Sequence, residues 1–294
     1  MNNNNLYNPG GMKLFALPRG KKDRINTRER NITDLGKITA AGAIYRSSLA
    51  PDHPLLYCGQ QSMAVPFIRE LLKSSSKPFV IIGSERDLDS TSCFYSLSWN
   101  EKVYSPNDYR AGNTIMKLNA AGSPSLALAS RLNLWDDHQL VLCIGGGILM
   151  DAEILNLLNR LFPGYILVCD SFTRSVSVEL GTQVLLQYIA CFVCSSFSGS
   201  ADEFIKILPK FKAEVYTNTT GFAVNANAGM FGHESHNMRG RSANISQSRT
   251  FEEKSVLEAS ELQKLQECGK TLIYNRDSGH VFLARIEDRV YKVI

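Results

Sequence analysis

The chain has 294 residues, 44% of them hydrophobic and 20% charged, with a formal net charge of +4. That profile belongs to an ordinary globular protein and excludes collagen-like, low-complexity and disordered classes. No apolar run approaches the ~18 residues of a spanning helix, and the opening Met1 to Asn5 lacks the charged and then apolar order of a secretory signal. The expectation is therefore a cytoplasmic protein with no direct membrane insertion.

Residues 1–50 read as an Asn- and Gly-containing basic arm. Lys13, Arg19, Lys21, Lys22, Arg24, Arg28 and Arg30 fall in one short stretch, which holds only Asp23 and Glu29 as acidic residues. From Pro54 the pattern becomes regular. Residues 55–58 predict a short strand, 59–62 a turn and 64–74 a helix, with Val65, Ile68, Leu71 and Leu72 on one side and Pro66 in the first turn. Residues 79–82 predict the next strand, ending at Gly83. An irregular stretch over 84–113 leads to a short strand at 113–118 and a helix from Ser123 to about Leu134.

The clearest unit follows. A fully apolar strand at 140–144 stops at Gly145, Gly146 and Gly147. A helix over about 150–162 is broken by Pro163 and Gly164, and a second apolar strand at 165–169 ends at Asp170. This is a βαβ unit with glycines at the carboxyl end of a buried parallel strand, where open α/β sheets hold their ligands. A helix at 175–190, a strand at 191–194, a helix at 202–211 and a closing strand at 214–217 complete the alternation. Strands alternating with helices imply an α/β fold with a doubly wound, mostly parallel sheet.

The division expected is an arm at 1–50, an α/β core at 51–222, a flexible linker at 223–250, and a C-terminal helix with a small β-meander at 251–294. That last helix spans 251–267 and stops at Gly269. The meander strands fall at 271–274, 281–286 and 290–294.

The run from Leu55 to Ile82, with the strand–helix pairs after it, resembles the MinD/ParA-like branch of P-loop ATPases. In that family a glycine-rich loop ending in GK[ST] cradles phosphate. The corresponding stretch here, Cys58 to Met63, keeps Gly59, has no Lys, and offers only Ser62 for a metal-binding hydroxyl. Where the family's later strand ends in a metal-serving aspartate, this chain has Ile144 and glycines. The resemblance therefore implies a degenerate member without nucleotide hydrolysis. Its remnant crevice would comprise Gly59, Ser62, Gly83, Gly145, Gly146, Gly147 and Asp170, with no cofactor, no metal and no catalytic residue. In its length and Asn-rich opening the chain also resembles an accessory subunit of a type IVB secretion coupling complex. That likeness implies an adaptor whose partners are other subunits, including a membrane-anchored coupling ATPase, and a location peripheral to the inner membrane through them.

Other constellations are weaker. Cys191 and Cys194 form a CxxC inside a predicted strand, so they read as core residues, as do Cys143 and Cys169. His233, Glu234 and His236 miss the HExxH spacing of a zinc helix. Gly269, Lys270 and Thr271 spell the end of a P-loop but lie between a helix and a strand, the reverse of the order phosphate binding needs. Asp87, Asp89, Asp136 and Asp137 read as turns and caps. His138 sits at the amino end of its strand and His280 in the terminal meander. Two further readings stay open: an enzyme using the crevice near Gly145 to Gly147, and a nucleic-acid partner protein acting through the basic arm.

Overall fold

The computed structural model describes residues 30–84, 103–104, 114–118, 128–129, 132–145, 147–197, 201–224 and 241–287. A ten-stranded sheet organises it, in the order β1-β12-β11-β8-β2-β7-β6-β3-β5-β4. The strands are β1 (Ile32–Ile38), β2 (Leu55–Cys58), β3 (Phe79–Ser84), β4 (Val103–Tyr104), β5 (Thr114–Leu118), β6 (Gln139–Cys143), β7 (Tyr165–Cys169), β8 (Cys191–Cys194), β11 (Thr271–Asn275) and β12 (His280–Ile286). From β4 to β8 every pair is parallel. β11 runs antiparallel to β8 and β12, and β1 runs parallel to β12.

The helices are α1 (Ala40–Ser47), α2 (Gln61–Ser74), α3 (Ala152–Leu161), α4 (Thr182–Tyr188), α5 (Ala201–Ile207) and α6 (Ala259–Glu267). They cover both faces, as the strand–helix alternation predicts. Ala43, Phe67, Ile68 and Leu71 bring α1 and α2 onto one face, with Tyr57, Val141, Val168 and Val193. Ile154, Leu158, Leu185, Phe204, Leu262 and Leu265 bring α3 to α6 onto the other, with Leu56, Leu142, Leu167 and Phe192. The central strands are buried along their whole length, so their sequences are continuous apolar runs without alternation.

Local chemistry sets the boundaries. The Asp151 side chain accepts from the Ile154 N–H at 2.8 Å and starts α3, two residues later than its apolar spacing implies. Thr39 does the same for α1 through Gly42. Pro66 lies well inside α2, because the helix begins at Gln61 and not at Ala64. The predicted helix over 175–190 shortens to α4. Residues 172–174 form a 3₁₀ turn, Val176 bridges to Met150, and Gly181 at φ +72° turns the chain into the helix.

Several boundaries of the expected division change. Residues 32–47 of the presumed arm form β1 and α1, because Ile32 and the alanines of α1 find apolar cover. The basic residues from Lys13 to Arg28 lie outside the described residues. Arg30 pairs with Glu261 at 2.8 Å and stacks on Phe211, its guanidinium carbon 5.4 Å from the ring centroid. In the presumed linker, residues 241–250 belong to β10 (Arg241–Ser255), which pairs in unbroken antiparallel register with β9 (Lys210–Val224). Residues 225–240 lie outside the described residues. The predicted helices at 202–211 and 251–267 lose their ribbon-side ends to these strands. The strand expected at 214–217 falls in β9, outside the central sheet. The terminal strands do not stand apart as a meander: β11 adds to β8 and extends the core sheet. No helix among the described residues is long and apolar enough to cross a membrane.

Candidate functional site

The carboxyl ends of the parallel strands define the mouth of the sheet, where an α/β ligand site would lie. Its centre is the end of β2, flanked by β7 and β8. Only Gly59 and Gln60 connect β2 to α2. A phosphate loop of the GxxxxGK[ST] form needs room for a string of backbone N–H groups around an anion, and two residues do not provide it. The Gly59 N–H is already committed, donating to the Cys169 carbonyl at 2.8 Å. The α2 N-cap, Gln60, makes no side-chain cap.

The other side of β2 is closed by the turn after β8. The Ser195 and Ser196 N–H groups donate to the Cys58 carbonyl at 2.9 and 3.3 Å. Tyr57 Oη and Ser195 Oγ are hydrogen-bonded at 2.9 Å. Gly59 sits at φ +147°, and a Cβ built there would lie 1.9 Å from Ser195 Oγ and 3.3 Å from the Ser196 nitrogen. Glycine is thus required by close packing of the turn, a different reason from the cradling of a ligand. Burial pushes the Tyr57 hydroxyl well above its ordinary pKa, so it remains a neutral hydrogen-bonding group.

The remaining predicted residues spread along the same rim. Asp170 follows β7 directly and is exposed. Gly145 follows β6 and Ile144, at φ +144°, with its N–H donating to the Ile148 carbonyl at 2.7 Å. Gly147 lies in the same turn, and Gly146 lies outside the described residues. Gly83 is inside β3 and not beyond it. Ser62 occupies the first turn of α2. Because β7 lies between β2 and β6, Gly59 and Gly145 are separated by a whole strand. At ~4.8 Å per strand, Gly83 is about 14 Å from Gly59. The structure therefore brings Gly59 beside the end of β7, and it disperses the other glycines along the rim.

Sequence reasoning missed a row of thiols at this mouth. Cys58 is the direct register partner of Cys169 on β7 and of Cys194 on β8. All three are buried and point to the α3–α6 face. The signal was in the sequence, since β2, β7 and β8 each end on Cys before a small or polar residue. The Cys169 hydrogen bond to the Cys58 sulfur holds the Cys58 thiol below its ordinary pKa. The Phe172 backbone N–H helps, and burial and Asp170 oppose. The same hydrogen bond, with burial, pushes Cys169 up, and burial pushes Cys194 up. Cys191 belongs to the opposite face, where burial pushes its thiol up to about 12. Three residues apart on a strand means opposite faces, so the CxxC cannot act as a redox pair within itself. Cys143 and Cys169 are core residues, as read from the sequence.

The other constellations resolve simply. Gly269, at φ +62°, ends α6, and Lys270 pairs with Asp34 at 2.5 Å. Asp136 and Asp137 lie in the turn before β6. His138 is buried at that strand's amino end, with Nδ1 2.5 Å from Asp137 Oδ1. His280 begins β12 near the sheet edge. Residues Asp87, Asp89, His233, Glu234 and His236 lie outside the described residues. Among the described residues, no group of three or more His, Cys, Asp or Glu side chains is placed to hold a metal ion. The thiols form a row, and a row is not a coordination polyhedron.

No protein-family model and no curated protein matches the sequence. Among solved structures, one similar chain is the genome packaging NTPase B204 from Sulfolobus turreted icosahedral virus 2, in complex with AMP. It is 11% identical, with 82% of this chain and 100% of that chain covered and a TM-score of 0.44. Another is the bacterial conjugative coupling protein TrwB in an unbound form, also 11% identical, with 85% and 88% covered and a TM-score of 0.45. Likenesses this loose assign no activity, and the α/β class with its large, mostly parallel sheet rests on the strand order itself.

Proposed function

We propose that this chain is a non-catalytic adaptor or scaffold subunit of a bacterial multiprotein assembly, working through its surfaces. Its sheet is of the nucleotide-binding architectural type, with the phosphate site lost. The assembly proposed is a type IV secretion coupling complex, in which the chain would be cytoplasmic and held at the inner membrane by a membrane-anchored coupling ATPase. The observation that supports this reading best is the closed end of β2. Two residues link it to α2, the Gly59 N–H is spent on Cys169, and Ser195 and Ser196 occupy the adjoining space.

The test is thermal unfolding with ATP or GTP and Mg²⁺. A ligand that binds only the folded state at about 100 times its Kd adds ~2.7 kcal/mol. At ~2–4 °C per kcal/mol for a domain of this size class, the midpoint would rise by roughly 5–11 °C. The expected result is no change with either nucleotide. A saturable rise would overturn the reading and return the mouth of the sheet to nucleotide chemistry.

A further inference from the structure

The thiol row at the sheet mouth has a chemistry that an adaptor role does not use. We propose that Cys58 and Cys169 are an oxidisable pair that forms a reversible cross-strand disulfide with hydrogen peroxide as oxidant, with Cys194 as the second partner open to Cys58.

The geometry carries this. Adjacent strands lie ~4.8 Å apart, inside the Cα separation of ~4.4–6.8 Å that a disulfide spans. Cys58 is in direct register with both neighbours, on one face. The Cys58 sulfur also sits among hydrogen-bonding groups. As a thiol it donates to the Ser196 carbonyl at 3.4 Å. As a thiolate it accepts from Cys169 and from the Phe172 N–H. Cys169 has the Tyr57 carbonyl within 3.7 Å as a further acceptor for its own proton. The middle thiol is thus the one suited to be the nucleophile, and its neighbour the one suited to keep its proton until the second step.

The steps balance. The Cys58 thiolate attacks one peroxide oxygen. An S–O bond forms, the O–O bond breaks, and the departing oxygen takes up a proton and leaves as water. The Cys169 sulfur then attacks the Cys58 sulfur. The S–S bond forms, the S–O bond breaks, and the hydroxide leaves as water with the Cys169 proton. Two thiols lose two electrons and the peroxide gains them. Cys58 is 1% and Cys169 2% exposed, so the reaction requires an oxidant as small as hydrogen peroxide and local opening of the strand ends.

The experiment uses the full chain carrying Cys268→Ser, which removes an exposed thiol that would link two molecules. The folded protein is treated with hydrogen peroxide, quenched, denatured, alkylated and mapped by mass spectrometry with and without reduction. Expected is a loss of two free thiols, a Cys58–Cys169 or Cys58–Cys194 linked peptide, and full recovery with dithiothreitol. Cys143→Ala, a buried thiol on the other face, leaves the link intact, and Cys58→Ala abolishes it. If Cys58→Ala does not fold, the map of the parent chain decides alone. Three results would each overturn the proposal: no link in folded protein while guanidinium-unfolded chain is oxidised, links spread over Cys143 and Cys191, or Cys58 passing to sulfinic acid without a disulfide.

Discussion

Gly59→Ala tests the closure of the sheet mouth most directly. The new methyl group would meet Ser195 Oγ at 1.9 Å, so the serine must rotate and give up its 2.9 Å hydrogen bond to Tyr57. Leaving a buried hydroxyl without its partner costs about 1–3 kcal/mol. The φ of +147° adds a strain of order 1–3 kcal/mol for an alanine. The Ser195 Cβ at 3.2 Å and Ser196 nitrogen at 3.3 Å leave little room for relaxation. A loss of about 3 kcal/mol follows, or roughly 6–12 °C in the thermal midpoint. Calorimetry of the variant and of Ser195→Ala separates the parts. Ser195→Ala removes the same hydrogen bond and leaves the backbone at Gly59 unstrained, so it should lose only part of what Gly59→Ala loses. A Gly59→Ala variant within about 0.5 kcal/mol of the parent would refute the packing argument. It would mean that the turn after β8 yields freely, as an open ligand site would.

Two further substitutions bear on the same structure. Gly164→Ala places a Cβ 2.4 Å from the Pro51 carbonyl oxygen and the Asp52 carbonyl carbon, both backbone, so it should be worse tolerated than Gly59→Ala; a variant of parental midpoint would contradict it. Burial pulls the Asp34 carboxyl up, but the Lys270 hydrogen bond and charge and the Gly36 N–H outweigh it and hold the group below its ordinary range. A depressed carboxylate stabilises above its unfolded pKa of ~3.9, and the contribution is lost as pH falls through the folded value. Asp34→Asn should therefore lower the midpoint slightly at pH 7 and match the parent in acid. A difference that persists unchanged at low pH would show that the lost contact is not ionic.

The central strands were legible because a strand buried on both faces writes itself as a short apolar run between turn residues. That is how 55–58, 79–82, 165–169 and 191–194 read correctly. The ribbon was legible only at 214–217. Among the described residues β9 and β10 pair as strands only with each other, and β10 is mostly polar and charged with Ala243, Ile245 and Phe251 as its apolar residues, so no continuous apolar stripe marks it. α1 was missed for a related reason: Gly42 interrupts a helix of eight residues, and its alanines bury little apolar surface. At the mouth, each glycine was visible while the neighbours that decide its role were not. Ser195 lies far along the chain from Gly59, and only the β2–β8 register brings them together. The alignment of Cys58, Cys169 and Cys194 depends on the same long-range pairing.

The partnership of β1 with β12 has a consequence for how the molecule is made. Ile32 pairs with Val281, so among the described residues the first strand has the last as its sheet neighbour and must wait for it. A loop that long closes slowly, because its entropy is lost before the pairing rewards it. During synthesis, the strands from β2 to β8 can assemble as the chain emerges. β1 stays without its partner until β12 is clear of the ribosome, and α1, whose cover includes Ile286, is completed only then. The edge that carries β1 is thus the last part of the sheet to close, and it exposes β12 to competing strands until it does.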